Sequence, residues 1–209
     1  MKSEFPKMAL KVMLVAVYIL GASCTQSQKE QPTQKEQPSW VKKVRELHKQ
    51  LTENEIKLVY IDNDFQTILT AVRKDVSNFY EVVTIKLIMM HVQHHRVVVK
   101  YHNRLLVTLP ALEDAKLFAF CTLNIDDLEF IENNKSYFND QTRLILPILR
   151  NKAALHTLDK AKEAVKESYE LLAKANGIYK DARDTVKASS LPKELQDNLK
   201  ENKGPGDQS

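Results

Sequence analysis

Between Cys24 and Lys203 this chain carries one glycine, Gly177, and outside a short proline-bearing repeat its prolines there are Pro110, Pro147 and Pro192. Sheet folds made of many short strands need a turn roughly every dozen residues, and the favoured tight turns need glycine. A body this poor in turn residues has to run in long helices. We therefore expect an all-α fold, a bundle of about four helices with two long ones, spanning residues 40–200. A disordered tether would precede it and a frayed tail, 201–209, would follow it.

Apolar spacing places the helices. Trp40, Val44, Leu47 and Leu51 recur three or four residues apart behind Ser39, a residue suited to capping a helix N-terminus. Thr52 and Glu55 have the spacing of a capping box that would open a second segment. Phe65, Ile68, Leu69, Val72, Val76, Phe79, Tyr80 and Val83 then keep the 3–4 spacing, which predicts one strongly amphipathic helix continuing toward Pro110. The β-branched runs Val82-Val83-Thr84-Ile85 and Arg96-Val97-Val98-Val99 leave a hairpin over 96–109 as an alternative, but no glycine is present to turn it. A segment apolar on several faces also suits the buried middle of a bundle. Another helix is expected over Leu112–Ile131, and a last long one capped by Asn139 or Asp140, with a kink or delayed start at Pro147.

That last helix carries a heptad seam. Leu158, Val165, Leu172, Tyr179 and Val186 recur every seven residues, with Ala154, Ala161, Ser168, Ala175 and Ala182 at the complementary position. One large and one small register suit close packing, and the small residues favour a tight antiparallel partner within the chain over a dimeric coiled coil. Beyond it, Ser190-Leu191-Pro192 would open a short helix bearing Leu195 and Leu199.

The N-terminal 39 residues read differently. Lys2, Lys7 and Lys11 precede the apolar run Val12–Leu20, and Gly21, Ala22 and Ser23 follow, the order of a cleaved secretory signal. The run is short against the about 20 residues that a bilayer-spanning helix needs. Leu20-Gly21-Ala22-Ser23-Cys24 resembles the lipobox of bacterial lipoproteins, with Leu20 one place earlier than usual and Gly21 in its place. The resemblance covers only these residues and the run before them. It implies a diacylglyceryl group on Cys24, cleavage before it, and a membrane held through that lipid, hence a cell-envelope, outer-membrane or cell-surface address. Ordinary secretion, with cleavage near Ser23–Cys24 or Cys24–Thr25, is the other reading. The expected division is thus signal peptide 1–23, tether 24–39, bundle 40–200 and tail 201–209.

The tether repeats QKEQP with a period of six and has nothing apolar to bury, so ordering it has no return. It could reach at most about 50 Å if extended and spans nearer about 20 Å as a flexible chain. If Cys24 carries lipid, Cys121 has no partner; without lipid, a Cys24–Cys121 disulfide stays open. The apolar setting Leu117-Phe118-Ala119-Phe120 favours a buried, inert Cys121 thiol.

The body offers few leads for chemistry. His91 and His95 share a helix face, with His102 two turns on, side chains of the type that hold zinc. No acidic residue lies between Glu81 and Glu113 to complete a ligand set, and His91-Val92-Gln93-His94-His95 lacks the glutamate of HExxH. One glycine cannot build a phosphate loop, and there is no Gly-x-Ser-x-Gly elbow, paired-cysteine motif or EF-hand spacing among Asp62, Asp64, Asp126, Asp127 and Asp140. The net charge of +4 falls by two once Lys2, Lys7, Lys11 and Glu4 leave with the leader, which is no footprint for nucleic acid. No catalytic residues and no cofactor beyond the lipid are expected. The expected role is a binding module with a protein partner at the envelope or outside the cell. A secreted carrier of an apolar ligand and a histidine-based metal binder are the alternatives.

Overall fold

The computed structural model describes residues 38–186, 190–194, 196 and 197. The expectations for the leader, Cys24, the QKEQP tether, Leu195, Leu199 and the tail fall outside these residues. Among the described residues there are five α-helices and no strand: α1 (Ser39–Val72), α2 (Phe79–Thr108), α3 (Asp114–Asn133), α4 (Tyr137–Ile145) and α5 (Lys152–Thr185). The two longest, α1 and α5, have 34 residues each. Short 3₁₀ turns at Val76–Asn78, Leu109–Ala111 and Leu146–Ile148 mark three of the corners.

Helix α1 forms because its apolar residues stay on one face for its whole length: Trp40, Val44, Leu47, Leu51, Leu58, Ile61, Phe65, Leu69 and Val72 are all buried. Ser39 is the first helical residue, with Pro38 ahead of it and no side-chain cap, so it does not cap as expected. Nor does Thr52 open a new segment. Its hydroxyl donates to the His48 carbonyl one turn back (2.8 Å), and the helix passes straight through. The expected continuous helix across Val72 breaks instead. Asp75 accepts from the Ser77 N–H (2.9 Å), starting the turn that reverses the chain, and Val76, Phe79 and Tyr80 face solvent although they keep the 3–4 spacing.

No hairpin forms over 96–109: residues 96–108 are the final stretch of α2, and Leu109 and Pro110 sit in the 3₁₀ turn that ends it. Asn139 and Asp140 lie inside the nine-residue α4, so neither caps the last helix. Pro147 delays that helix to Lys152, and the cap is Asn151, whose Oδ1 accepts from the N–H groups of Ala153 (2.9 Å) and Ala154 (3.1 Å). Glu81 of α2 reaches the same end, accepting from the N–H groups of Arg150 (2.8 Å) and Asn151. A carboxylate there also complements the positive end of the helix dipole.

The helix in the middle is α5, which packs on α1, α2 and α3; α2 also packs on α1. The segment expected to be the buried middle, α2, keeps an exposed outer face, and α5 takes the middle position. All ten residues of the α5 seam, Leu158, Val165, Leu172, Tyr179 and Val186 with Ala154, Ala161, Ser168, Ala175 and Ala182, are buried. Asn54 fills an apolar slot of α1 and bonds across to α5. Its Oδ1 takes the Ser168 hydroxyl (2.8 Å), and its amide donates to the Ala164 carbonyl (3.1 Å) and to Glu167 (3.2 Å). A buried polar pair of this kind penalises slippage of one helix along the other, since any slip leaves it unsatisfied. Lys43–Asp181 (2.6 Å) and Lys57–Glu167 (2.7 Å) flank it on the surface.

Gly177 is an exposed helical residue, and a Cβ built there meets nothing within 4 Å. It therefore contributes backbone freedom in the unfolded chain and no packing requirement. Gly177→Ala is expected to raise stability by about 0.5–1 kcal/mol in a urea titration.

Candidate functional site

Helix α2 is apolar on two opposite faces. The inner one, with Ile85, Ile88, Met89, Val92, Val99 and Leu106, is buried against the bundle. The outer one carries Tyr80, Val83, Leu87, Met90, His94, Val97 and Tyr101, which alternate in steps of three and four and are all exposed. The exposures are large: 74% for Tyr80, 65% for Met90 and Val97, and 53% for Tyr101. At 100° per residue the two faces point opposite ways, so the outer stripe cannot be turned inward without exposing the core. From Tyr80 to Tyr101 the stripe runs about 32 Å along the helix. Exposed together, these side chains form a patch comparable with the largest apolar patches of ordinary monomers, about 300–600 Å².

Charge around the stripe is one-sided. Lys86, Gln93 and Lys100 recur every seven residues along one edge, and Arg104 extends the stripe's line at its C-terminal end. Among the described residues, Lys86, Arg96, Lys100 and Arg104 make no ion pair, whereas Lys43, Lys57, Lys160 and Lys180 each pair with a carboxylate on another helix. The acid in α2, Glu81, is taken up by backbone N–H groups at the start of α5. Asp62 of α1 meets this edge at Gln93, accepting from its amide (2.9 Å).

His91, His95 and His102 do not assemble into a metal site: among the described residues no three His, Cys, Asp or Glu side chains are placed to hold an ion. His102 lies about 10 Å along the axis from His95, too far to share a ligand sphere. Aromatic rings occupy the other two. His91 meets Tyr137 and Phe138 edge-on at ring separations of 5.7 and 6.1 Å, and His95 meets Phe138 at 5.7 Å and Tyr169 at 5.2 Å. Burial depresses the His95 pKa to about 4, helped by His94 and His91, so the ring is neutral near pH 7. Burial also lowers His91. These rings hold α4 against α2 and α5 by packing.

His102 is a different case. It is 1% exposed, and its Nε2 lies 3.2 Å from Asp127 Oδ2 on α3. Burial lowers its pKa more than Asp127 raises it, so the neutral ring donates to the carboxylate, while Nδ1 has no protein partner. Asp127 thus links α3 to α2. His48 belongs to a second small network: its Nδ1 donates to Asn103 Oδ1 (2.7 Å), and the Asn103 amide donates to Thr52 (3.0 Å), tying α1 to α2. Asn103 was not singled out from the sequence and Thr52 only as a capping residue, since no local spacing marks a pair fifty-one residues apart.

Cys121 is free and buried, and burial pushes its pKa up to about 11, so the thiol is protonated and a poor nucleophile. Burial likewise raises the Tyr179 hydroxyl. Three open surface clefts, of about 490, 340 and 370 Å³, have charged walls; the first lies between α1 and α5 beside Lys43, Glu46, Lys174 and Asp181. No helix among the described residues is long and apolar enough to cross a membrane. Comparison with protein families, with curated proteins and with solved structures finds no match to this chain.

Proposed function

We propose that the protein is an exported binding module, carried on lipid at Cys24, which engages a protein partner at the cell envelope or surface through the outer face of α2. The observation that supports the reading is the apolar stripe from Tyr80 to Tyr101, on the face opposite the core, which is exposed and has no partner among the described residues. A helix with two apolar faces needs cover on both, and the bundle supplies only one. The tether would place the bundle within reach of proteins beyond the lipid headgroups. The role proposed is binding, carried by the exposed apolar face and not by a reacting group.

The anchor and the contact face are tested separately. The mature protein is expected to enter the detergent phase and to carry a mass increase matching acylation on Cys24, and Cys24→Ser is expected to move it to the aqueous phase. Aqueous partitioning of the unaltered protein, with a free N-terminus, would contradict the anchor.

A further inference from the structure

We infer that the partner presents an acidic amphipathic helix, which lies along α2 and pairs with it as a coiled coil. The inference rests on the reading of the outer face of α2 as the contact surface, and adds what meets it. The stripe is a heptad seam: Tyr80, Leu87, His94 and Tyr101 stand seven apart, and so do Val83, Met90, Val97 and Arg104. Two positions per heptad, widened on one flank by Val98 and Leu105, form a coiled-coil seam that matches one facing helix. Seven exposed side chains spread over about 32 Å of helix suit one facing helix of similar length.

Charge narrows the partner. In a coiled coil the residues flanking the seam meet those flanking the partner's seam. Here one flank offers Lys86, Gln93 and Lys100 and the other His91, Val98 and Leu105, with Arg104 at the seam's end. A second copy fits poorly. Antiparallel pairing would set the lysine edge against itself, and parallel pairing would set Lys86 against His91 and Lys100 against Leu105. The acid beside this edge, Asp62, is already taken by the Gln93 amide. A helix bearing glutamate or aspartate beside its own apolar seam supplies the missing partner for Lys86 and Lys100, which have none among the described residues. Helix-in-groove recognition of this kind reads apolar anchors at three- and four-residue spacing.

The test uses the mature chain and two synthetic helices of about four heptads, with leucine at both seam positions and either glutamate or lysine at both flanks. By fluorescence anisotropy at low salt, the acidic helix is expected to bind at least about tenfold tighter than the basic one, and to weaken as salt rises. The surface double variant K86E/K100E is expected to reverse the preference, and L87E/M90E to bind neither, with unchanged circular dichroism in both. Equal binding of the two helices, or no binding of either, overturns the inference. So does a mature chain that sediments as a dimer whose L87E/M90E variant is a monomer, or one that leaves solution for anionic vesicles of phosphatidylglycerol through the same two residues. If neither helix binds yet Met90 is shielded where the protein works, the inference fails and the contact face stands. If Met90 is open there too, both fail.

Discussion

Replacing Phe65 by alanine is expected to cost about 3–5 kcal/mol, while Leu87→Ala and Met90→Ala, which remove smaller apolar groups, are expected to cost under about 0.5 kcal/mol each. Phe65 is fully buried in the C-terminal half of α1, between Ile61 and Leu69, and truncation leaves a void that packed helices close only in part. Leu87 and Met90 lie on the outer face of α2, and their loss removes little from the fold. The three variants are compared by urea unfolding of the mature chain. A cost above about 2 kcal/mol for both outer residues would mean that the stripe is packed in the isolated protein, and the two-faced description of α2 would be wrong.

Acid is expected to weaken the fold through His95. Its folded pKa is about 4 against an ordinary value of 6.5, so between those values the unfolded chain binds the proton and the folded chain does not. Stability therefore rises with pH across that window, is complete above about pH 6.5, and is lost as pH falls toward 4. The loss from this residue is on the order of 2–3 kcal/mol by about pH 4.5. His102 and His91 act in the same direction. The rings and charges that meet His95 are Phe138, Tyr169, His94 and His91, none of them an acid that would hold the imidazolium. Carboxylates titrate in the same range, so the informative quantity is the difference between the parent and His95→Leu. Urea midpoints at pH 7 and about pH 4.5 are expected to fall clearly further apart for the parent. Equal falls in both proteins would show that His95 carries none of the dependence.

Much of the bundle is legible in the sequence, for physical reasons that also say where legibility ends. The turn-poor composition and the unbroken spacing of Trp40, Val44, Leu47 and Leu51 leave helices as the one way to bury these side chains, and the described fold is helical throughout. The spacing of apolar residues does not say which neighbour covers them. Val72 and Val76 look alike in the pattern, yet one is core and the other is a turn in water, because the reversal is set by Asp75 on the Ser77 N–H and by where α2 can pack back. Thr52 and Glu55 satisfy a capping pattern inside a helix that needs no cap. The outer stripe of α2 was present in the sequence as Val83, Leu87, Met90, Val97 and Tyr101. It was hidden because the inner stripe is equally apolar, and an all-round apolar helix reads as a buried one. His102 with Asp127, and His48 with Asn103, are pairings across helices that no local spacing encodes.

Adjacent residues supply the most direct measurement of the central claim, that the outer face of α2 is the contact surface. Met89 is 4% exposed and Met90 is 65% exposed, so a brief peroxide treatment read by peptide mass mapping uses one as the internal standard for the other. In the purified mature protein, Met90 is expected to oxidise at least about tenfold faster than Met89. On cells that make the protein, with its partner in place, Met90 is expected to slow to within about twofold of Met89, and L87E is expected to restore its fast oxidation. An unchanged fast rate for Met90 on the cell would contradict the account, and so would a Met90 already shielded in the purified protein.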